Sequence, residues 1–253
     1  MKVLVTGSAG HIGRPVCREL LRRGHQVRAL DRVPTPGLGD ALVADIADQA
    51  PVCEAVRGVD VVIHLAAHPG EAEISALVGP NVIGLYNVMN AAREQKVARV
   101  VLASSVMVVA DRKAPPPLRT DEVWPRTHYA LTKLLAEQMG EMYARCYGMN
   151  VLAARIGWMV RNPAEAHKLR ELDVPDLYIS GRDVGRFFAR AAEAGTRGYA
   201  VVYALGRGGE RLYDMEAARR LIGYEARDRW PDGLSYELPN AELAADPDVR
   251  SKV

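Results

Sequence analysis

The sequence predicts an α/β fold, a parallel sheet wound with helices on both faces. Three observations carry that expectation. Short β-branched runs alternate with helix-length amphipathic stretches over the first two thirds of the chain. The central runs, such as Val61-Val62-Ile63 and Val100-Val101-Leu102-Ala103, are apolar on every residue, as strands covered on both faces must be. A glycine-rich turn joins the first run to the first helix.

Strands are expected at 2–6, 26–31, 41–44, 60–65, 99–105 and 151–156, with helices at 12–23, 49–57, 81–96 and 128–147 between them. Gly148 is placed to end the last of these helices. The proline-rich piece 114–117 is loop. Past Ile156 the pattern loosens. Residues 157–182 read as a long loop with one helical turn, and 183–194 as a helix opened by Asp183. A strand at 199–204 and a helix at 214–222, stopped by Gly223, come next, and a polar tail follows Pro239. The expected organisation is a core at 1–156 and a small substrate cap at 157–253. The helix and strand of 183–204 should pack back on the core, making one compact unit.

Composition narrows the function. The chain has 253 residues, 49% hydrophobic and 25% charged, an ordinary soluble balance. Thirty-three basic against 31 acidic residues leave a net charge of +2, without the basic excess of a nucleic-acid binder. The three cysteines (Cys17, Cys53, Cys146) are widely spaced and form no CxxC pair, which suits buried thiols in a reducing compartment. No apolar leader follows Met1, and Val100 to Ala110 is too short to span a bilayer. A cytoplasmic chain without membrane or nucleic-acid partners is expected.

Thr6-Gly7-Ser8-Ala9-Gly10-His11-Ile12-Gly13 lies between the first strand and the first helix. Gly7 permits a tight turn, Gly10 lets backbone approach a pyrophosphate, and Gly13 lets helix and strand pack closely. The helix N-terminus then faces the phosphates. Asp31 ends the second strand, placed to hold the adenosine ribose hydroxyls. Its charge repels a 2′-phosphate, so NAD is favoured over NADP, although Arg32 next door can pair with that phosphate. Asp45-Ile46, after the third strand, either flanks the adenine or belongs to a helix cap.

Tyr129 and Lys133 stand four residues apart on the 128–147 helix, on one face. A free phenol is a poor base near neutral pH, and a fixed ammonium beside it favours the phenolate. Tyr129 can then take a hydroxyl proton as hydride leaves the same carbon. Ser104 and Ser105 end the fifth strand, where crevices form outside carboxyl ends. Alternation turns them to opposite sides. Ser105 is expected to hold the reacting oxygen, and Ser104 to be structural.

Together these pieces resemble the extended short-chain dehydrogenase/reductase (NAD-dependent epimerase/dehydratase) family. The matching stretches include the glycine loop, Asp60-Val61-Val62-Ile63-His64-Leu65-Ala66-Ala67, Asn81-Val82-Ile83-Gly84, Ser104-Ser105 and Tyr129-x-x-x-Lys133. The resemblance implies a Rossmann-type core, NAD as cofactor and Tyr129 as acid/base. Lys133 would hold the nicotinamide ribose, and hydride would pass to the B face. It also implies that Leu65, Ala66, Ala67 and Ile156 join the cofactor site, and that a homodimer pairs the 81–96 and 128–147 helices.

Within the family the chain is most similar to the short uronate dehydrogenases, through Asn81 to Asn87, Ala154-Arg155-Ile156-Gly157 and the Leu212 to Tyr224 tail. It departs from them at Val106-Met107, Trp158 and Pro69, where they carry polar residues. A pocket lined by His68, Ser105, Val106, Met107 and Trp158 is therefore expected to be less polar than a uronate site. No metal is expected, since His64 and His68 straddle a strand end. Arg161, Lys168, Arg170 and Arg182 form either a solvated surface or an anion clamp. The expected activity is hydride transfer between NAD and a secondary alcohol or sugar hemiacetal carbon. Two rivals stand beside it: an epimerase or dehydratase that retains its NAD, and a non-catalytic NAD(H)-binding redox sensor.

Overall fold

The structure, a computed structural model, describes residues 1–109 and 115–234. Seven strands form one sheet: β1 (Lys2–Thr6), β2 (Gln26–Asp31), β3 (Ala41–Val43), β4 (Val61–His64), β5 (Arg99–Ser105), β6 (Val151–Ile156) and β7 (Tyr199–Ala204). Their order is β3-β2-β1-β4-β5-β6-β7, and every pairing is parallel. The order reverses between β1 and β4, so a crevice opens beyond their carboxyl ends.

Eight helices accompany the strands among the described residues: α1 (Gly13–Arg22), α2 (Gln49–Val56), α3 (Ile74–Val78), α4 (Gly84–Glu94), α5 (His128–Tyr147), α6 (Pro163–Glu171), α7 (Gly181–Glu193) and α8 (Glu216–Ile222). Alternating strand residues feed two cores. Val3, Val5 and Ile63 pack with Val16, Leu20, Val184 and Phe187 beneath α1 and α7. Leu4, Val62 and Val100 pack with Val52, Leu85, Met89 and Tyr143 on the opposite face. No helix among the described residues is long and apolar enough to cross a membrane.

α5 shows why its sequence is helical throughout. Thr127 Oγ1 accepts the Ala130 N–H at 3.1 Å, and Gly148 closes the far end at φ 69°. Elsewhere the structure departs from expectation. Helix 81–96 is instead α4, approached through α3 and a π-helical turn at Gly79–Ile83. The 157–182 loop contains α6, nine residues long, because Asn162 Oδ1 accepts the Glu165 N–H at 3.0 Å and Pro163 sits at the first helical position. α7 begins at Gly181, not Asp183. Ser180 Oγ accepts the Asp183 N–H at 2.9 Å, and the Asp183 carboxylate holds the Arg227 and Asp228 N–H groups. The cap therefore hangs on α7, while β7 pairs with β6 inside the sheet. Ala114 and the tail after Pro239 lie outside the described residues.

Candidate active site

A cleft of about 510 Å³ opens at the β1/β4 reversal. Its floor is the glycine loop. The Gly7 N–H donates to Leu30 O at 2.8 Å, and Gly7 adopts φ 70°. A Cβ on Gly13 would lie 2.1 Å from Gly7 O, and one on Gly7 would lie 2.7 Å from Ala66 N. Side chains are excluded there by backbone on both sides, which leaves the α1 N-terminus open to a diphosphate. The cradle fits NAD.

Of the residues singled out in the sequence, Gly7, Gly10, His11, Ile12 and Gly13 line this cleft along its floor. Asp31, Arg32, Asp45 and Ile46 line one end; Leu65, Ala66, Ala67 and Trp158 line the other walls. Asp31 is already engaged: its Oδ2 accepts the Ala9 N–H at 3.0 Å and its Oδ1 the Val33 N–H at 3.3 Å. Asp45 Oδ1 accepts the Ala47 N–H at 2.9 Å, so it closes a turn while facing the cleft; the residue preceding α2 is Asp48. Asn87 holds that turn through Ile46 O and Ala47 O.

Ser105, Tyr129, Lys133, Ile156, His68, Val106 and Met107 are not among this cleft's walls. Several gather beside it. Ser105 pairs in register with Ile156, one residue before the wall residue Gly157. Ser105 accepts the Met107 N–H at 3.2 Å, and its hydroxyl favours the charged form of the Tyr129 phenol. Burial raises the Tyr129 pKa, against the opposing influence of that hydroxyl and of Arg161. Val106 is buried, Met107 is exposed, and His68 presents a buried Nδ1 without a partner among the described residues.

Lys133 differs from expectation. Its Nζ donates to Ala103 O at 3.0 Å and lies 5.6 Å from the centre of the Tyr129 ring. Burial lowers it to about 8, since the charged amine loses its water. The phenol in this state is therefore pushed up by burial rather than drawn down by the amine. Nearby His64 hydrogen-bonds Thr6 Oγ1 at 2.8 Å and is driven down to about 3 by burial and the Lys133 charge.

The basic residues after β6 separate. Arg161 reaches the cleft wall and pairs with Glu165, which also accepts from the Trp158 indole at 3.3 Å. Arg170 lies over Trp230, and Arg182 pairs with Asp228. His11 Nε2 donates to Val160 O at 3.3 Å, tying the glycine loop to the Trp158–Arg161 strap. Sequence reading passed over Glu71, whose carboxylate accepts the His128 and Tyr129 N–H groups, since nothing local announces a contact across 57 residues.

The family model for the NAD-dependent epimerase/dehydratase family matches residues 3–160. An L-arabinose 1-dehydrogenase (NAD(P)(+)) of Haloferax volcanii is 31% identical, over 90% of this chain and 96% of its own. A uronate dehydrogenase of Pseudomonas syringae pv. tomato is 29% identical, over 97% and 86%. Among solved structures, a uronate dehydrogenase variant from Agrobacterium tumefaciens complexed with NAD superposes with TM-score 0.76 at 25% identity, over 90% and 84%. This chain belongs to the NAD-dependent epimerase/dehydratase family, and it is an NAD-dependent enzyme.

Proposed function

We propose that the chain is a dehydrogenase moving hydride between NAD and a secondary alcohol or sugar hemiacetal carbon, with Ser105, Tyr129 and Lys133 as its catalytic groups. The observation that carries this is Ser105 at the carboxyl end of β5, close enough to the Tyr129 phenol to favour its charged form, with the Lys133 amine 5.6 Å from the centre of the phenol ring. Bound NAD supplies the hydride acceptor or donor. Tyr129 Oη receives the substrate hydroxyl proton during oxidation and returns it during reduction. Its raised pKa keeps the phenol protonated at rest, ready to donate. Arg161 and the Ser105 hydroxyl favour the phenolate that oxidation needs. Ser105 would hold the reacting oxygen, and Lys133 would hold the nicotinamide ribose.

The glycine loop (Gly7, Gly10, His11, Ile12, Gly13), Asp31, Arg32, Asp45, Ile46 and the Leu65-Ala66-Ala67 wall would hold NAD, with Ile156, Tyr129 and Lys133 completing the site. His68, Val106, Met107 and Trp158 would face the substrate. The Trp158 indole is occupied by Glu165, so this side offers few free partners to sugar hydroxyls. An aldose or uronate 1-dehydrogenase-like activity on a less polar substrate is the reading we favour. The family also includes epimerases and dehydratases, and an enzyme that retains and regenerates its NAD is the second reading.

The proposed division is a core of 1–156 and a substrate cap at 157–253, with the helix and strand of 183–204 packed back on the core as one compact unit. Ile83 and Tyr86, beside and on α4, and Leu131, Leu135 and Tyr147 on α5 are exposed apolar residues, which supports a homodimer through these helices. Three free cysteines accord with a cytoplasmic setting.

The test is NADH absorbance over a panel of aldoses, uronates, sugar phosphates and secondary alcohols, with wild type and Tyr129→Phe. The variant should lose about 10²-fold or more in turnover while binding NAD as before. Undiminished turnover rejects the assignment, and a reaction without net NADH release selects the second reading.

A further inference from the structure

We infer that Glu71 is a positioning residue: it clamps the segment leaving β4 onto the first turn of α5 and so sets where Tyr129 stands. Helix N-termini leave backbone N–H groups without intrahelical partners. In α5, Thr127 serves Ala130, and Glu71 serves the two residues before it. Glu71 Oε1 accepts the His128 N–H at 3.1 Å, and its Oε2 accepts the Tyr129 N–H at 2.9 Å. His128 Nδ1 lies 3.1 Å from Glu71 Oε1, and the Thr127 hydroxyl adds to the groups that favour the charged carboxylate.

A second fastening runs in parallel. Asn81 is buried in the π-helical turn and accepts the His68 N–H at 2.7 Å. It donates to Thr132 Oγ1 at 3.0 Å, and Thr132 donates to Tyr129 O at 2.8 Å. The backbone of Tyr129 is therefore held at its N–H by Glu71 and at its C=O through Thr132, and both ties lead to residues 68–71. That stretch contains the cleft-lining residues Pro69 and Gly70 and follows Ala67. An exposed carboxylate contributes little to stability. It can still hold a reacting group in register, where a displacement of about 1 Å costs about 10²-fold. Such a clamp sets the phenol against the cofactor wall.

The inference rests on Tyr129 as acid/base, and its test is chosen to separate the two. Hydrogen exchange at residues 127–130, phenolate absorbance during alkaline titration and NAD⁺ affinity are compared for wild type, Glu71→Ala, Glu71→Gln and Glu73→Gln. Each titration has the matching Tyr129→Phe curve subtracted, which isolates one phenol. Glu71→Ala should speed exchange at His128 and Tyr129 and move the titration down toward the ordinary phenol value, since burial is what raises it. NAD⁺ affinity should stay within about twofold, because the cradle is built on β1 and α1. Glu71→Gln, which keeps one acceptor oxygen of the two, should fall between wild type and Glu71→Ala, and the control Glu73→Gln should change nothing. An unmoved titration in Glu71→Ala overturns the clamp. Full turnover by Tyr129→Phe overturns the acid/base assignment instead, leaving Glu71 a contact without catalytic consequence.

Discussion

The two serines that end β5 look into opposite polar clusters. Ser104 donates to Glu137 at 2.5 Å, and Glu137 takes both Nε and Nη2 of Arg155 at 2.8 Å. Arg155 goes on to Glu122 O and Tyr203 Oη, and Tyr203 donates to Arg119 O. That side is closed: each charge has its opposite, and the outer bonds fasten the 119–122 segment leading to α5. On the Ser105 side, the Lys133 amine donates to Ala103 O and burial pushes it down to about 8, and the His68 Nδ1 is buried without a partner among the described residues. Buried polar groups usually find partners within the fold. On the proposed reading, the Ser105 side is the one that meets substrate.

If the closed cluster is structural and the open one functional, removing a member of each should have opposite signatures. Glu137→Ala strands the Arg155 guanidinium and should cost about 3–5 kcal/mol in urea unfolding. A loss of activity with unchanged stability would reverse the assignment. Lys133→Met should reduce turnover by about 10²-fold with stability held or raised, since it removes a buried amine. A large drop in melting temperature would place Lys133 with the structural cluster.

Asp31 stands between the two kinds, a carboxylate that holds two backbone amides and still faces the cleft. Asp31→Ala should narrow the preference for NAD over NADP by about tenfold, a ribose contact's worth of binding. Measured affinities for both coenzymes decide whether the carboxylate reads a ligand or only braces the loop. A pH-dependent effect concerns His64, which hydrogen-bonds Thr6 and is acted on by the Lys133 charge. Its pKa falls from 6.5 to about 3 on folding, so the unfolded chain binds the extra proton below 6.5. Its stabilising contribution is complete above 6.5 and is lost as pH falls toward 3. His64→Gln should flatten that part of the curve of urea midpoint against pH.

Much of the sheet was legible because its signal is local. A strand covered on both faces must be apolar throughout, and β1, β2, β5, β6 and β7 begin and end where the residue pattern places them. α6 was hidden because its cap is a single asparagine in a polar stretch, with only Ala166 and Leu169 buried to mark a face. The glycine loop could be read because backbone clearance demands glycine itself. Arg161 could not be told from solvated neighbours, since only packing brings it to the cleft.

The sequence by itself determined the parallel sheet, the diphosphate cradle and the presence of a phenol and an amine on one helical face, because each depends on residues within a few positions of one another. Tertiary structure alone decided that Lys133 would meet a carbonyl, that Ser104 would find Glu137 and Arg155, and that Glu71 would cap the helix carrying Tyr129. Those outcomes turn on which groups meet across dozens of residues and how much water is excluded between them, and no local pattern encodes either.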